Sequence, residues 1–414
     1  MERATLNTLR VLASLALLGV LQAPVYAQLP ERPHISPSDG MSPDPLERSP
    51  TPGTLRSLSF GDQVAHHNNT ALIWERGFPD FPEAIGRVAV FTRNGQGKWV
   101  RSASIDAPSG NVGFGEQIAI FNDFALIEST THAFLYHRVQ GQWKRIQQLT
   151  PQSGYTFTEV TIWNNWAFIG ARSATAGAVH VYQFTTAGTL RGVQTLRSFS
   201  GDPADGFGEH VVISNARALV SASGDTGGRG AAYVFELSGS LFVKRQKLIA
   251  INGARGDGFA ASIGISADWI AIGAPNVDGV QDLFCLGGRT TGAMYVFRRI
   301  NGTWLQQDAL LSGDARDTAF SCVSEFGAQL MISGPWLVST ITVDSGAVRS
   351  VVPVIYKRDT ANFTARADAA AADGELDLYL SNGTLIVGAP FEQGCQFEAC
   401  VGRAGVYDLD NTGL

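Results

Sequence analysis

The sequence predicts an all-β, seven-bladed β-propeller of four-stranded antiparallel blades, with the ring closed by an N-terminal strand. Three observations predict it. A short polar doublet flanked by apolar residues recurs seven times. Each copy reads as four short strands, and the copies follow one another at about 50 residues, the spacing of propeller blades. The composition, with 46 glycines in 414 residues and 44% hydrophobic content, suits a turn-rich β protein in which no helical apolar period is sustained. One four-stranded unit has two apolar faces and cannot bury both alone, whereas units set radially cover each face with a neighbour.

The chain opens with a pattern of another kind. Arg3 and Arg10 flank the start of an apolar run over 11–21, and Val25-Tyr26-Ala27 places small or medium apolar residues at a cleavage site. Residues 1–27 therefore read as a secretory signal peptide, shorter in its apolar run than the ~20 residues of a membrane span. Cleavage removes Glu2, Arg3 and Arg10 and moves the formal charge from −6 to −7. A mildly acidic protein without basic clusters argues against nucleic acid and against anionic membrane as partners. No later stretch is apolar enough to span a bilayer, so the expected location is secreted or periplasmic, without membrane insertion, and the expected state is a monomer. Residues 28–53 read as a linker, with Pro30, Pro33, Pro37, Pro43, Pro45, Pro50 and Pro52 among Ser, Asp and Glu.

The blades occupy 54–414. Their doublets are Asn68-Asn69, Asn122-Asp123, Asn164-Asn165, Asn215-Ala216, Ala267-Asp268, Gly334-Pro335 and Asn382-Gly383. Asn, Asp and Gly are the residues that tight hairpin turns demand. Before each doublet runs a first strand with period-two alternation, as in Glu116-Gln117-Ile118-Ala119-Ile120, and after it a continuous apolar run such as Ile270-Ala271-Ile272, typical of a strand buried on both faces. A Gly-Ala-x-Tyr-Val-Phe segment supplies the third strand at Gly230–Phe235 and Gly292–Phe297, with relatives at Gly177–Tyr182 and Arg87–Phe91. The fourth begins on an aromatic residue and continues with Gln, Lys and Leu, as in Trp143–Leu149, Phe242–Leu248, Trp304–Leu310 and Trp99–Ile105.

Phe-Gly heads the first strand at Phe60-Gly61, Phe114-Gly115, Phe207-Gly208 and Phe326-Gly327, with Phe259-Ala260 a variant, and Gly-Ala-Pro ends the second at Gly273-Ala274-Pro275 and Gly388-Ala389-Pro390. These residues resemble the FG-GAP repeat family, which builds the head propeller of integrin α chains and many secreted bacterial proteins. The resemblance covers about residues 54–414. It implies that the first-to-second and third-to-fourth turns share one end of the ring, the turn face, and that the second-to-third loops and blade-to-blade crossovers share the other, the loop face. It also implies calcium loops of Asp-x-Asp-x-Asp-Gly type, which need several oxygens converging in one loop. This chain has none, so no metal and no cofactor are expected. The seventh copy ends on its third strand near Asp408-Leu409, and an N-terminal segment is expected to supply the fourth. Leu55 lies too close to Phe60 to cross the blade, which favours 43–48.

The longer loops fall on the loop face and carry the candidate ligand-binding residues: Phe78, Asp80, Phe81 and Glu83 in the first copy, Asp278 and Asp282 in the fifth, Glu392 and Glu398 in the seventh. Aromatic rings beside carboxylates make a binding edge, while the same rings folded back would cover their blade. Four cysteines in an exported chain imply disulfides, and neighbouring loops favour Cys285–Cys322 and Cys395–Cys400. The seven histidines are scattered, His210 at the start of a first strand among them, and no nucleophile elbow or phosphate loop appears. The sequence thus points to a secreted binding or adhesion module that recognises protein or glycan through the loop face. An extracellular hydrolase with carboxylates near the central channel and a structural scaffold stand as alternatives.

Overall fold

The computed structural model describes residues 34–35, 59–76, 86–174, 177–198, 205–277, 292–311, 322–344, 349–358, 363–368, 376–389 and 403–411. Among these, helix appears only in short pieces, such as the single turns at Asp225–Gly228 and Leu409–Asn411. A two-residue strand, β1 (His34–Ile35), precedes the blades. Blade one is β2 (Ser59–His67), β3 (Thr70–Arg76), β4 (Arg87–Arg93) and β5 (Trp99–Asp106). Blade two is β6 (Ile118–Phe121), β7 (Phe124–Glu128), β8 (Ala133–Val139) and β9 (Gln142–Leu149). Blade three is β10 (Thr156–Trp163), β11 (Trp166–Arg172), β12 (Gly177–Phe184) and β13 (Leu190–Leu196). Blade four is β14 (Phe207–Ser214), β15 (Arg217–Ala222), β16 (Ala231–Ser238) and β17 (Leu241–Leu248). Blade five is β18 (Ser262–Ser266), β19 (Trp269–Ala274), β20 (Ala293–Ile300) and β21 (Thr303–Leu311). Blade six splits its first strand into β22 (Cys322–Ser324) and β23 (Leu330–Ser333), followed by β24 (Trp336–Asp344), β25 (Arg349–Arg358) and β26 (Phe363–Asp368).

These six sheets each take their strands from one stretch of chain, and all their pairings are antiparallel. A further, composite sheet joins β27 (Asp377–Ser381), β28 (Thr384–Ala389) and β29 (Arg403–Asp408) to β1. His34 pairs with Gly405 and Ile35 with Ala404. The closing strand is therefore not 43–48, the segment favoured from sequence. Pro43 and Pro45 lack the N–H that a ladder requires, and His34–Ile35 offers two adjacent residues that have it.

First strands touch one another around the axis in the order β2, β6, β10, β14, β18, β23, β27 and back to β2. The core lies between sheets rather than within one. Phe207, Val211 and Phe235 of blade four pack with Phe168 and Val179 of blade three, and Phe60, Val64 and Phe91 of blade one pack with Ile386 and Ala404 of the composite sheet.

The Phe-Gly and Gly-Ala motifs meet at these junctions. A Cβ on Gly170 would collide with the carbonyl of Gly208, one on Gly273 with that of Gly327, and one on Gly388 with that of Gly61. The first glycine of each pair ends a second strand and the other heads the next first strand, so the pair is the point where two backbones approach without side chains. At the periphery, glutamines four or five residues past the start of an outer strand reach the neighbouring outer strand. Gln194 Nε2 donates to Phe242 O and Gln194 Oε1 accepts from Phe242 N, both at 2.9 Å. Gln147 does the same with Leu190 and Gln246 with Trp304.

The first residue of every doublet turn has a left-handed φ: 53° at Asn68, 52° at Asn122, 52° at Asn164, 49° at Asn215, 51° at Ala267, 57° at Gly334 and 47° at Asn382. Asn and Gly tolerate this region, and Ala267 does not. Its side chain is exposed, and only its carbonyl is used, by Arg217 Nη1 at 3.1 Å. Ala267→Asn is expected to stabilise the fold by about 1 kcal/mol, read as a higher urea midpoint with unchanged slope.

Candidate functional site at the channel mouth

The first strands line a central channel of about 410 Å³. One residue in or directly before each reaches it at the same register: Gln63, Gln117, Glu159, His210, Ser262, Gln329 and Asp377. Each directly precedes a buried apolar residue, respectively Val64, Ile118, Val160, Val211, Ile263, Leu330 and Leu378, which packs outward and fixes the direction of its neighbour. The ring lies where first strands begin, next to the ends of the second strands, for Phe60 pairs with Glu75 and Phe207 with Ala222. It therefore opens on the loop face.

Acid and base are unevenly distributed around this ring. His210 Nδ1 lies 2.9 Å from Glu159 Oε2 across the junction of blades three and four. Burial works against the imidazolium, but the hydrogen bond and charge of Glu159, helped by Glu209, outweigh it and raise the His210 pKa. Burial pushes Asp377 up to about 7 although Val64 N donates to its Oδ2 at 2.8 Å, and the charges of Glu159 and Asp62 add to the rise. Glu128, at the junction of blades two and three, is pushed up to about 8 by burial, with Glu159 and Glu116 contributing. Burial likewise raises Glu116, against the pull of Arg76. The mouth thus offers a proton donor that titrates near neutrality, a hydrogen-bonded carboxylate–imidazole pair and uncharged amides in one enclosure. Among the described residues, no three His, Cys, Asp or Glu side chains come together to hold a metal ion.

The loop residues expected from sequence, Phe78, Asp80, Phe81, Glu83, Asp278, Asp282, Glu392 and Glu398, lie outside the described residues, as do Cys285, Cys395 and Cys400. Cys322 opens β22, and its side chain is likewise outside the description. The bases of two of these loops are described and tightly held. Below the first, the carboxylate of Glu75, 1% exposed, accepts Arg101 Nη1 and Nη2 at 3.0 Å each and also Arg87 Nε. Below the second, Gly292 N donates to Val277 O at 3.0 Å. In blade four the loop is fastened by Asp225, buried, which accepts from Tyr233 Oη and from Lys247 Nζ at 2.8 Å. Burial opposes the Asp225 charge, but Lys247, Tyr233 and Thr226 hold its pKa below the usual carboxylate range.

Sequence reasoning missed the ring, although a signal existed. The ring residue stands two positions after Phe-Gly in Phe60-Gly61-Asp62-Gln63, Phe114-Gly115-Glu116-Gln117, Phe207-Gly208-Glu209-His210 and Phe326-Gly327-Ala328-Gln329. A polar residue recurring where the alternation calls for an inward position marks a channel lining.

Residues 242–297 match the FG-GAP repeat family. The matched segment runs from β17 through β20, which is the outer strand of one blade followed by three strands of the next. The same phase appears in the composite sheet, where β1 pairs with β29. A search of curated proteins finds no match to the sequence. Among solved structures, a protein from Lactobacillus plantarum superposes with a TM-score of 0.52 at 9% identity, covering 83% of this chain and 92% of the other. A Bacteroides uniformis protein provisionally assigned as a 6-phosphogluconolactonase superposes with a TM-score of 0.51 at 11% identity, covering 83% and 98%. Identities this low speak to the fold alone. Four-stranded blades set around a channel, joined where Phe-Gly of one meets Gly-Ala of another, make this chain a β-propeller that carries a match to the FG-GAP repeat over residues 242–297.

Proposed function

We propose that this is an exported binding propeller that takes a protein or glycan ligand on its loop face, over the channel mouth. Counting the composite sheet as a blade, the ring would have seven. The observation that carries the binding reading is the Glu159–His210 pair within a ring of polar side chains, opening on the face from which the long loops leave. A concave site with a few convergent polar groups and shifted pKa values is the usual signature of a ligand site. Glycan and protein arrays probed with the mature protein test it. Binding of an arrayed ligand is expected to weaken by about tenfold or more in Glu159→Gln and in His210→Ala. Ligand binding unchanged in both variants would remove the channel mouth from the reading.

A second reading has one specific observation in its favour. Asp377, held protonated up to about pH 7 in the same channel as Glu159, is suited to general acid work. A panel of hydrolase substrates in which turnover is lost on Asp377→Asn would favour an enzyme, and binding without turnover favours the first reading.

A further inference from the structure

We infer that the turn face carries a separate saccharide-binding cleft between blades two and three. The cleft measures about 530 Å³, within the roughly 300–1,000 Å³ range of small-molecule sites. It is lined by Phe121, Phe124, His137 and Phe184, with the amides of Asn164 and Asn165 along its rim.

Its origin can be traced in the repeat. In three blades the residue opening the second strand is a buried tryptophan: Trp166, Trp269 and Trp336. Trp166 meets Phe242 edge-on at 5.2 Å, and Trp269 meets Phe363 at 5.5 Å, both from the next outer strand. Phe124 occupies that position in blade two. The residue opposite, bracketed by Gln147 as Phe242 is by Gln194, is Leu190. Gly188, two residues earlier, adds no side chain over the Phe124 ring. No outer-strand aromatic therefore covers Phe124. It stays half-buried, stacked on His137 at 4.3 Å with 6° between planes and tilted against Phe184 at 4.7 Å.

The aromatic surface continues toward the axis. The residue before the doublet is His67, Phe121 and Trp163 in blades one to three, but Ser214, Ser266, Ser333 and Ser381 elsewhere. Ser266 Oγ accepts from Gly334 N and Ser333 Oγ from Asn382 N, tying each turn to the next. His67 makes the corresponding tie through Asn122 Oδ1 at 3.1 Å. Linking turns thus accounts for Ser266, Ser333 and His67, whereas Phe124 and Phe184 pack one side on the core between blades two and three and leave the rest of the stack with His137 at the cleft.

The chemistry selects the ligand class. Half-buried aromatic rings at a cleft suit the C–H face of a pyranose, and an amide offers both donors and acceptors to its hydroxyls. The one carboxylate at the cleft, Asp123, is neutralised by Arg138, whose Nε and Nη2 lie at 2.8 and 2.7 Å. A neutral sugar fits this balance better than an ionic ligand.

Saturation-transfer NMR of the mature protein with cellotetraose, xylotetraose, maltotetraose and chitotetraose provides the test. At least one probe is expected to receive saturation and to shift the ring protons of His137 while leaving those of His210 in place. Phe124→Ala removes the platform, and His137→Ala and Asn165→Ala, which touch no buried core, are each expected to weaken binding by about tenfold. Failure of all four sugars to bind, binding undiminished in both milder variants, or shifts at His210 rather than His137 would each overturn the inference. None of these outcomes bears on the channel-mouth reading except the last, which would move the sugar there.

Discussion

Replacing Gly273 by alanine is expected to destabilise the protein by about 3 kcal/mol, the upper part of the range for overpacked sites. The added Cβ would run into the carbonyl of Gly327 and the Ser262 hydroxyl. Neither can yield easily. Gly327 is backbone of the neighbouring blade, and Ser262 Oγ already donates to Gly327 O at 2.7 Å. Blade five would have to move away from blade six, which loosens the cluster holding Trp269, Phe326 and Tyr356. Gly95 is the control, since a Cβ there meets nothing within 4 Å and its φ is not left-handed. Urea unfolding should show a large midpoint shift for Gly273→Ala and almost none for Gly95→Ala. Equal, small shifts in the two would mean that the glycine pair is not what sets blade spacing.

Glu128→Gln should have a comparable effect in the opposite direction, growing as pH rises from about 4.5 toward 8. Glu128 stands where Gly170, Gly273 and Gly388 stand in other blades, is 4% exposed, and its Oε2 has no hydrogen-bond partner among the described residues. Its pKa is about 8 in the fold against an ordinary 4.5. Below the ordinary value both folded and unfolded chains hold the proton, and the residue is harmless. As pH rises from there toward 8, the unfolded chain releases the proton while the folded chain retains it, so stability falls. The amide cannot ionise and escapes this loss. A gain on the order of 3 kcal/mol is expected at pH 8, shrinking to nothing near pH 4. Urea midpoints at pH 4, 6 and 8 for both proteins measure it. A pH-independent difference would show that packing, not proton linkage, separates them.

The two variants mark how far local sequence carries. The strands, their order within a blade and the doublet turns were legible because each depends on neighbours a few residues away. The alternation around Ile118 and the left-handed φ at Asn122 are local events, repeated often enough to be recognised against chance. Phe-Gly and Gly-Ala were legible as motifs, but not their reason, since Gly208 meets Gly170 only once two blades pack.

What the tertiary structure decided were relations between residues far apart in the chain. His34–Ile35 closes the composite sheet because β29 has a free edge, and nothing in two residues of strand announces a partner some 370 positions away. The partnership of Glu159 with His210, the high pKa of Asp377 and the uncovered ring of Phe124 arise likewise where blades converge. Periodicity reports which side of a strand a residue occupies. Burial, charge and exposure at a junction depend on what the neighbouring blade places opposite, and that is set only when the ring assembles.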